Sequence, residues 1–251
     1  MVHVTEKMRA ILVDWLLNVH HENKRQPETL FLAVSILDRF LERTPSLQRA
    51  ELQLAGSVAL LVASKHEECF RHEFTVADMV FLCDNAHTGD EVRRMEARIL
   101  RALSFRASAP TAYDFLMRCL AAAEADMMTR RLAQFLTERT LQEPASLRFL
   151  PSMLAAAAAN VALRTKRGAH AWTTHIAAAA GYEQSALGDA IRFICGEGHG
   201  VGARATNPLD TCARKYKAQE LDCVADTQLA PFPVAPVTPQ PSQHRRDANA
   251  T

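Results

Sequence analysis

Residues 52–68 read LQLAGSVALLVASKHEE, a run of small and aliphatic residues that ends in charged side chains. No apolar/polar alternation of the kind that strands show is present, and Gly and Pro stay rare up to residue 195. This pattern predicts a helix. Because Ala, Gly and Ser let neighbouring helices approach closely on several sides, we expect this helix to be the central one, or hub, of a helical domain.

A second run of the same character, LPSMLAAAAANVALR, occupies residues 150–164. The repetition predicts an all-α chain of two tandem five-helix domains, each built around a small-residue hub helix. We expect a first domain over 1–107, a second over 108–198 and a tail over 199–251. Helices are predicted at 5–23, 28–43, 49–66, 75–83 and 89–103, and again at 111–123, 127–141, 148–165, 172–180 and 183–195.

The tail is predicted from a change in composition at residue 196. GEGHGVG (196–202) holds four of the nine glycines, and PFPVAPVTPQP (231–241) holds five of the eleven prolines. GEGHGVG follows a helix and lacks the Gly-Lys-Ser/Thr of a phosphate loop, so we interpret it as a linker. One short helix is expected within 208–221 and disorder beyond about 225, where Thr238 precedes a proline as in proline-directed phosphorylation sites.

Charge and cysteine content limit the classes of protein. Lys and Arg number 29 against 28 Asp and Glu, a net charge of +1, so no strong field draws the chain to nucleic acid or to a membrane. The six cysteines form no CxxC and follow no signal peptide. We therefore expect a reduced, intracellular protein of the nucleus or cytoplasm, with no nucleic-acid and no membrane partner.

Four segments carry a family resemblance: MRAILVDWLL (8–17), LDRFL (37–41), ASKHEE (63–68) and RRMEARIL (93–100). They resemble a cyclin box, in versions close to those of A- and B-type mitotic cyclins. The resemblance covers about 8–195 and is strongest in the first half. It implies no enzyme and no cofactor, but a subunit that binds and allosterically activates a cyclin-dependent protein kinase as a heterodimer. The family's Pro-Pro pair after the two glutamates is absent and is replaced by Phe70, Arg71 and His72. The resemblance therefore does not identify which kinase the chain binds.

The resemblance assigns kinase binding to Lys65, Glu96, His66, Leu100 and Phe105. Lys65 would donate to kinase backbone carbonyls and Glu96 would accept from backbone amides, so the two must lie side by side. Spacing alone offers simpler explanations: a cation in a last turn meets the helix dipole, and Glu96 has arginines one turn away. Phe105 would equally serve as a core aromatic. His66 stands where the family often has a larger aromatic.

The first helix is apolar on two faces. Met8, Ile11, Leu12 and Trp15 share a 100° arc, with Ala10, Val13 and Leu17 opposite, so the helix is either buried all round or offers one face to a partner.

In cyclins this arc, with residues matching Arg49 and Gln53 on the third helix, forms a groove for Arg-x-Leu-type peptides of substrates and inhibitors. Trp15 and Leu12 would fill its apolar pocket. Asn18 replaces a frequent carboxylate, which implies a weaker charge preference. Arg9 and Asp38 are expected to form an internal ion pair, and Leu54 to lie in the core.

Two other classes of protein would explain parts of the sequence. A cyclin-fold transcription factor that binds nucleic acid would need basic faces, and strong salt-sensitive retention on heparin would reveal one. A helical enzyme, metal-dependent or not, is the other. His66, Cys69, His72 and Glu73 have ligand types at short spacing, but H-E-x-x-H is not formed, so no metal site and no catalytic residue are predicted.

Overall fold

The computed structural model describes residues 4–68, 73–196, 211–218 and 221–230. Within these ranges the chain forms eleven α-helices and no β-strand, which confirms the all-α class. The helices are α1 (Glu6–Glu22), α2 (Pro27–Arg43), α3 (Leu52–Glu67), α4 (Val76–Leu82), α5 (Gly89–Ala102), α6 (Ala112–Ala122), α7 (Met127–Thr140), α8 (Pro151–Arg167), α9 (Thr174–Ala180), α10 (Gly188–Cys195) and α11 (Thr211–Tyr216).

The first half is built around α3. Every residue from Leu54 to Ser64 is buried, and α1, α2, α4 and α5 all pack against this helix. Thr75 and Thr88 begin α4 and α5 with capping boxes, in which the threonine hydroxyl and an acidic side chain three residues later satisfy each other's backbone amides. These caps fix where the two outer helices start against the hub.

The second half repeats this plan around α8, whose residues Leu154 to Arg164 are buried. Helices α6, α7 and α10 pack directly on this hub, whereas α9 packs mainly against α6. The expectation of four helices around each hub therefore holds for the first half and only loosely for the second. α9 spans only seven residues, so it offers little length for a second contact.

Three predicted helices start differently in the structure. Residues 49–51 form a 3₁₀ turn before α3, residues 144–148 form another before α8, and residues 184–187 form a third before α10. Pro151 at the first position of α8 explains the delayed start there, because proline lacks the amide that an earlier helical turn would use.

The C-terminal segment is more ordered than expected. Helix α11 lies inside the range predicted for a short helix. Val224–Asp226 form a 3₁₀ turn at the edge of the range where disorder was expected, and within that range the amide of Ala230 donates to the hydroxyl of Thr165 on α8 at 3.1 Å. Val224 is fully buried, so apolar contact holds this segment to the second half. The disorder and Thr238 predictions for 231–251 lie outside the described residues.

Candidate functional site: two surfaces of the first half

Lys65 and Glu96 lie side by side. The ammonium of Lys65, in the last turn of α3, is 2.6 Å from a carboxylate oxygen of Glu96 in the middle of α5. The side chain of Lys65 is 41% exposed and that of Glu96 is 19% exposed, so solvent reaches both. Packing of α5 on α3 brings them together across 31 positions of sequence. The two groups satisfy each other here, and a partner's backbone carbonyl and amide would share or replace this bond.

Phe105, three residues after the end of α5, has 73% of its surface exposed. It is therefore not the core aromatic of the simpler interpretation. Its backbone is left-handed, with φ of 58°, and its amide donates to the carbonyl of Leu100 at 2.7 Å. Leu100 lies one turn after Glu96 and is half-buried. The chain thus turns sharply after α5 and presents the ring of Phe105 instead of burying it.

Sequence reasoning missed the residue that holds this turn. Arg39 on α2 donates to the carbonyl of Arg106 at 2.8 Å and to that of Ala107. These bonds tie α2 to the segment that follows Phe105. The signal was present in the LDRFL motif, but nothing in the motif says that its arginine reaches a loop 67 positions later.

His66 is exposed, and its Nδ1 lies 3.0 Å from a carboxylate oxygen of Glu67. The next residue, Glu68, turns inward. It is 8% exposed and accepts from the backbone amide of Gln26 and the hydroxyl of Thr29, both at 2.9 Å. Glu68 therefore anchors the end of α3 to the start of α2, which holds Lys65 and His66 at the surface.

The exposed face of α1 carries most, but not all, of the residues predicted for a docking groove. Met8 and Trp15 are half-buried and Ile11 is 44% exposed. Leu12 was expected to fill the apolar pocket of the groove, but it is only 6% exposed and packs over Gly56 of α3. A methyl group at Gly56 would come within 2.8 Å of the Leu12 side chain. Leu12 thus supports the face from below and offers little surface to a peptide.

The polar residues predicted for the groove surround this face. Gln53 is exposed near the start of α3, whereas Arg49, also exposed, lies in the 3₁₀ turn before α3 and not on the helix itself. Asn18 donates to the carboxylate of Glu22 at 2.8 Å. A carboxylate is therefore present one turn beyond the position where the family often has one.

Arg9 and Leu54 are buried, and Asp38 is partly buried with a side chain that is 19% exposed. Arg9 donates to both carboxylate oxygens of Asp38, at 2.6 and 2.8 Å. It also donates to the carbonyl of Leu141 at 2.9 Å, a contact with the second half that the sequence did not indicate. Leu54 is 6% exposed.

Phe81 is an exposed aromatic that the sequence analysis left out. It lies near the end of α4 with 77% of its surface exposed. The run Met79–Cys83 contains more apolar residues than one buried stripe of a seven-residue helix can use. That excess was the available signal.

Among the other titratable groups, Glu28 has a raised pKa, and no grouping typical of a metal site occurs among the described residues. Burial and the nearby carboxylates of Glu67, Asp114 and Glu68 raise the pKa of Glu28, near the junction of the halves. In the described part of the chain, no three His, Cys, Asp or Glu side chains are grouped as a metal site would require. No described helix combines the length and apolar character needed to cross a bilayer.

A helical box that occurs twice, each copy built around a small-residue hub, with a lysine and a glutamate paired at the surface of the first copy, defines a class of all-α tandem folds. The chain matches the family described as "Cyclin, N-terminal domain" over residues 2–108 and "Cyclin, C-terminal domain" over residues 110–229. It belongs to the cyclin family, as predicted. The two halves are hereafter called the first and second box.

Named relatives place the chain near mitotic cyclins. It is 40% identical over 229 residues to the G2/mitotic-specific cyclin-1 of Medicago sativa subsp. varia, covering 91% of this chain and 52% of that one. It is 39% identical over 234 residues to Cyclin-B2-1 of Arabidopsis thaliana, covering 93% and 53%. The chain thus spans about half the length of these relatives.

Solved structures share the fold at lower identity. A viral cyclin from herpesvirus saimiri superposes with a TM-score of 0.67 at 23% identity, covering 77% of this chain and 85% of that one. A chain of the yeast RNA Pol II CTD kinase CTDK-1 complex superposes with a TM-score of 0.60 at 12% identity, covering 84% and 75%. These likenesses bear on the fold alone.

Proposed function

We propose that this chain is the kinase-binding portion of a mitotic-type cyclin, a subunit that activates a cyclin-dependent protein kinase by binding it. The observation that carries the proposal is the 2.6 Å pair of Lys65 and Glu96 on an exposed surface. The names of its relatives, G2/mitotic-specific and B-type cyclins, support the class. The role is regulatory, is exercised in the nucleus or cytoplasm, and requires no catalytic group from this chain.

The kinase-binding face proposed here consists of Lys65, His66, Glu96, Leu100 and Phe105. Lys65 and Glu96 supply one donor and one acceptor to backbone groups of the kinase, and the exposed ring of Phe105 supplies apolar area. Charged hydrogen bonds that lose water inside an apolar rim are frequent hot spots, where truncation costs about 2–5 kcal/mol. The departure at His66 makes this residue a determinant of which kinase fits.

Activation follows from selective binding. A kinase is inactive while its own Lys–Glu pair and its metal-binding aspartate are misplaced, and a partner that binds only the aligned form shifts the population towards it. A shift from 1:99 to 99:1 needs about 5.5 kcal/mol of differential affinity. A standard interface of about 1,600 Å² with a central hot spot is sufficient for this.

The test is co-purification with candidate cyclin-dependent kinases, followed by an activity assay. Lys65→Ala and Glu96→Ala should each weaken binding about 30-fold or more, from the hot-spot cost above. Arg192→Ala is the matched control, since Arg192 lies on α10 of the second box and pairs with the exposed Asp189. Folded variants of Lys65 and Glu96 that still bind and activate every kinase the wild type activates would refute the face.

We further propose that the exposed face of α1, with Arg49 and Gln53, docks Arg-x-Leu-type peptides of substrates or inhibitors. Ile11 and Trp15 provide the apolar floor, and Leu12 supports them from below. Glu22, bonded to Asn18, supplies the nearby negative charge that Asn18 itself lacks. Fluorescence anisotropy with a synthetic Arg-x-Leu peptide tests the groove, with Trp15→Ala expected to abolish binding and Leu150→Ala, on the second box, expected to leave it unchanged.

A further inference from the structure

Asp14 is a buried carboxylate on the helix that carries the proposed groove. It is 9% exposed and lies next to Trp15 in the sequence. One of its oxygens accepts from the side-chain amide of Gln142 at 2.6 Å and from the backbone amide of Thr211 at 3.0 Å. The other accepts from the Thr211 hydroxyl at 3.0 Å. This single side chain therefore joins α1 to the end of α7 and to the first residue of α11.

Helix α11 is itself firmly held by the second box. Lys215 contacts both oxygens of Glu138 at 2.8 and 2.7 Å, and the hydroxyl of Tyr216 donates to Glu138 at 3.0 Å. Glu138 is 2% exposed and Cys212 is fully buried. Asp14 is thus bonded to a helix that the second box anchors through a buried glutamate.

On α1, Asp14 flanks the proposed groove. At 100° per residue, Asp14 lies about 60° from Ile11, with Asn18 between them. Rotation of a helix about its long axis is opposed by side-chain contacts that reach out from that axis to neighbouring elements. Arg9 supplies one such contact through Asp38 and Leu141, and Asp14 supplies another, one and a half turns further along.

We infer that Asp14 is a positioning residue for the peptide groove, and that α11, almost 200 positions later, is the element through which it sets the orientation of α1. The inference rests on the proposed groove for its functional consequence. Asp14 touches no peptide. It fixes the direction in which Ile11 and Trp15 point, so the C-terminal segment controls docking while the face of Lys65 and Glu96, carried by α3 and α5, stays as it is.

The experiment uses the full chain and compares Asp14→Ala with Asp14→Asn. Alanine removes all three bonds. Asparagine keeps an oxygen for Gln142 and the Thr211 amide and presents its own amide to the Thr211 hydroxyl, so it restores the connection. We expect Asp14→Ala to weaken Arg-x-Leu peptide binding about tenfold and to speed hydrogen exchange of the Met8–Trp15 amides by a similar factor. Kinase affinity should change less than about twofold, and asparagine should restore both measurements.

Control variants keep the outcome decisive. Tyr216→Phe removes one bond that holds α11 without touching Asp14, and it should speed α1 exchange in the same direction as Asp14→Ala but by less. If Asp14→Ala fails to fold, Thr211→Val should give an intermediate effect, because it removes the hydroxyl bond to Asp14, together with the bond that Arg214 donates to the same hydroxyl, and keeps the backbone amide bond. An Asp14→Ala protein with native circular dichroism, unchanged α1 exchange and unchanged peptide affinity overturns the inference. A wild-type protein that binds no peptide refutes the groove instead, and the exchange measurement then decides alone whether Asp14 positions α1.

Discussion

Arg9 and Asp38 form a two-bond ion pair between α1 and α2, with donor–acceptor distances of 2.6 and 2.8 Å. Arg9 is 5% exposed, and its third bond, to the carbonyl of Leu141, reaches the second box. The pair is therefore both a connection within the first box and a connection between boxes. Breaking it leaves the carboxylate of Asp38 without its main counter-charge.

The first prediction concerns this pair. Arg9→Ala should lower the free energy of unfolding by about 2–3 kcal/mol, because it leaves the partly buried carboxylate of Asp38 without its two charged hydrogen bonds. Urea unfolding followed by circular dichroism measures the change. Arg93→Ala removes an exposed pair of the same residue types and should cost less than about 1 kcal/mol. Equal losses in the two variants would contradict the structural role of Arg9.

The second prediction separates binding from stability at Phe105. Because 73% of this residue is exposed, Phe105→Ala should change the free energy of unfolding by no more than about 0.5 kcal/mol. Kinase affinity should nevertheless fall about 30-fold or more, as for an aromatic hot spot. Isothermal titration with the kinase measures it.

Leu150→Ala is the matched control for Phe105, since Leu150 is 63% exposed but lies on the second box. Its kinase affinity should equal that of the wild type. Were the two variants to lose affinity equally, the kinase-binding face would not be confined to the first box.

The third prediction concerns Gly56. A methyl group here meets Leu12 side-chain atoms at 2.8 Å, so Gly56→Ala should destabilise the protein by about 1–3 kcal/mol. In a Leu12→Ala background the clash is gone, and the added cost of Gly56→Ala should largely vanish. This non-additivity in a double-mutant cycle is the expected signature of direct contact.

Gly188→Ala provides the comparison for Gly56. The nearest atom to an added methyl there is 3.8 Å away, on the flexible side chain of Arg192. Alanine at this helical position should be neutral or stabilising by up to about 1 kcal/mol. Strictly additive costs for Gly56→Ala and Leu12→Ala would contradict the packing of α1 on α3 described above.

Particular residues show which structural features could be predicted from the sequence. The two hubs were predictable because an Ala-rich, wholly apolar helix has no other stable place than the centre of a bundle. The adjacency of Lys65 and Glu96 was predictable only through the family motifs, since spacing alone explained each residue separately. The burial of Leu12 was not predictable, because a projection cannot tell which part of an apolar arc faces a glycine on the next helix.

Other features depend on contacts between distant positions. Asp14 is an ordinary flanking polar residue in the sequence, and its role appears only when Thr211, 197 positions away, is brought beside it. Arg39 likewise gains meaning from the carbonyls of residues 106 and 107. Single-sequence periodicity describes each helix by itself and gives no information on such pairings, and the bond from Ala230 to Thr165 is a further example.

The fourth prediction concerns pH and His20. This side chain is 3% exposed, and its Nε2 lies 2.8 Å from the carbonyl of Gln26, so that nitrogen carries the proton of the neutral ring. Burial lowers the pKa of His20, and Lys215 lowers it further, while the Gln26 carbonyl and the carboxylates of Glu138 and Glu68 oppose the shift. The folded protein therefore takes up this proton at lower pH than the unfolded chain does.

The sign follows from linkage. Below the unfolded-state pKa of about 6.5, His20 binds a proton in the unfolded chain, whereas in the folded chain it binds the proton only at lower pH. Stability should fall as pH drops from 7.5 towards 5.5, and His20→Gln, which keeps a donor for Gln26, should show a shallower fall. Burial and nearby carboxylates raise the pKa of Glu28, which has the opposite pH dependence, but both proteins carry it, so it cancels in the comparison. Urea unfolding at the two pH values measures the difference, and identical slopes in the two proteins would mean that His20 does not titrate differently on folding.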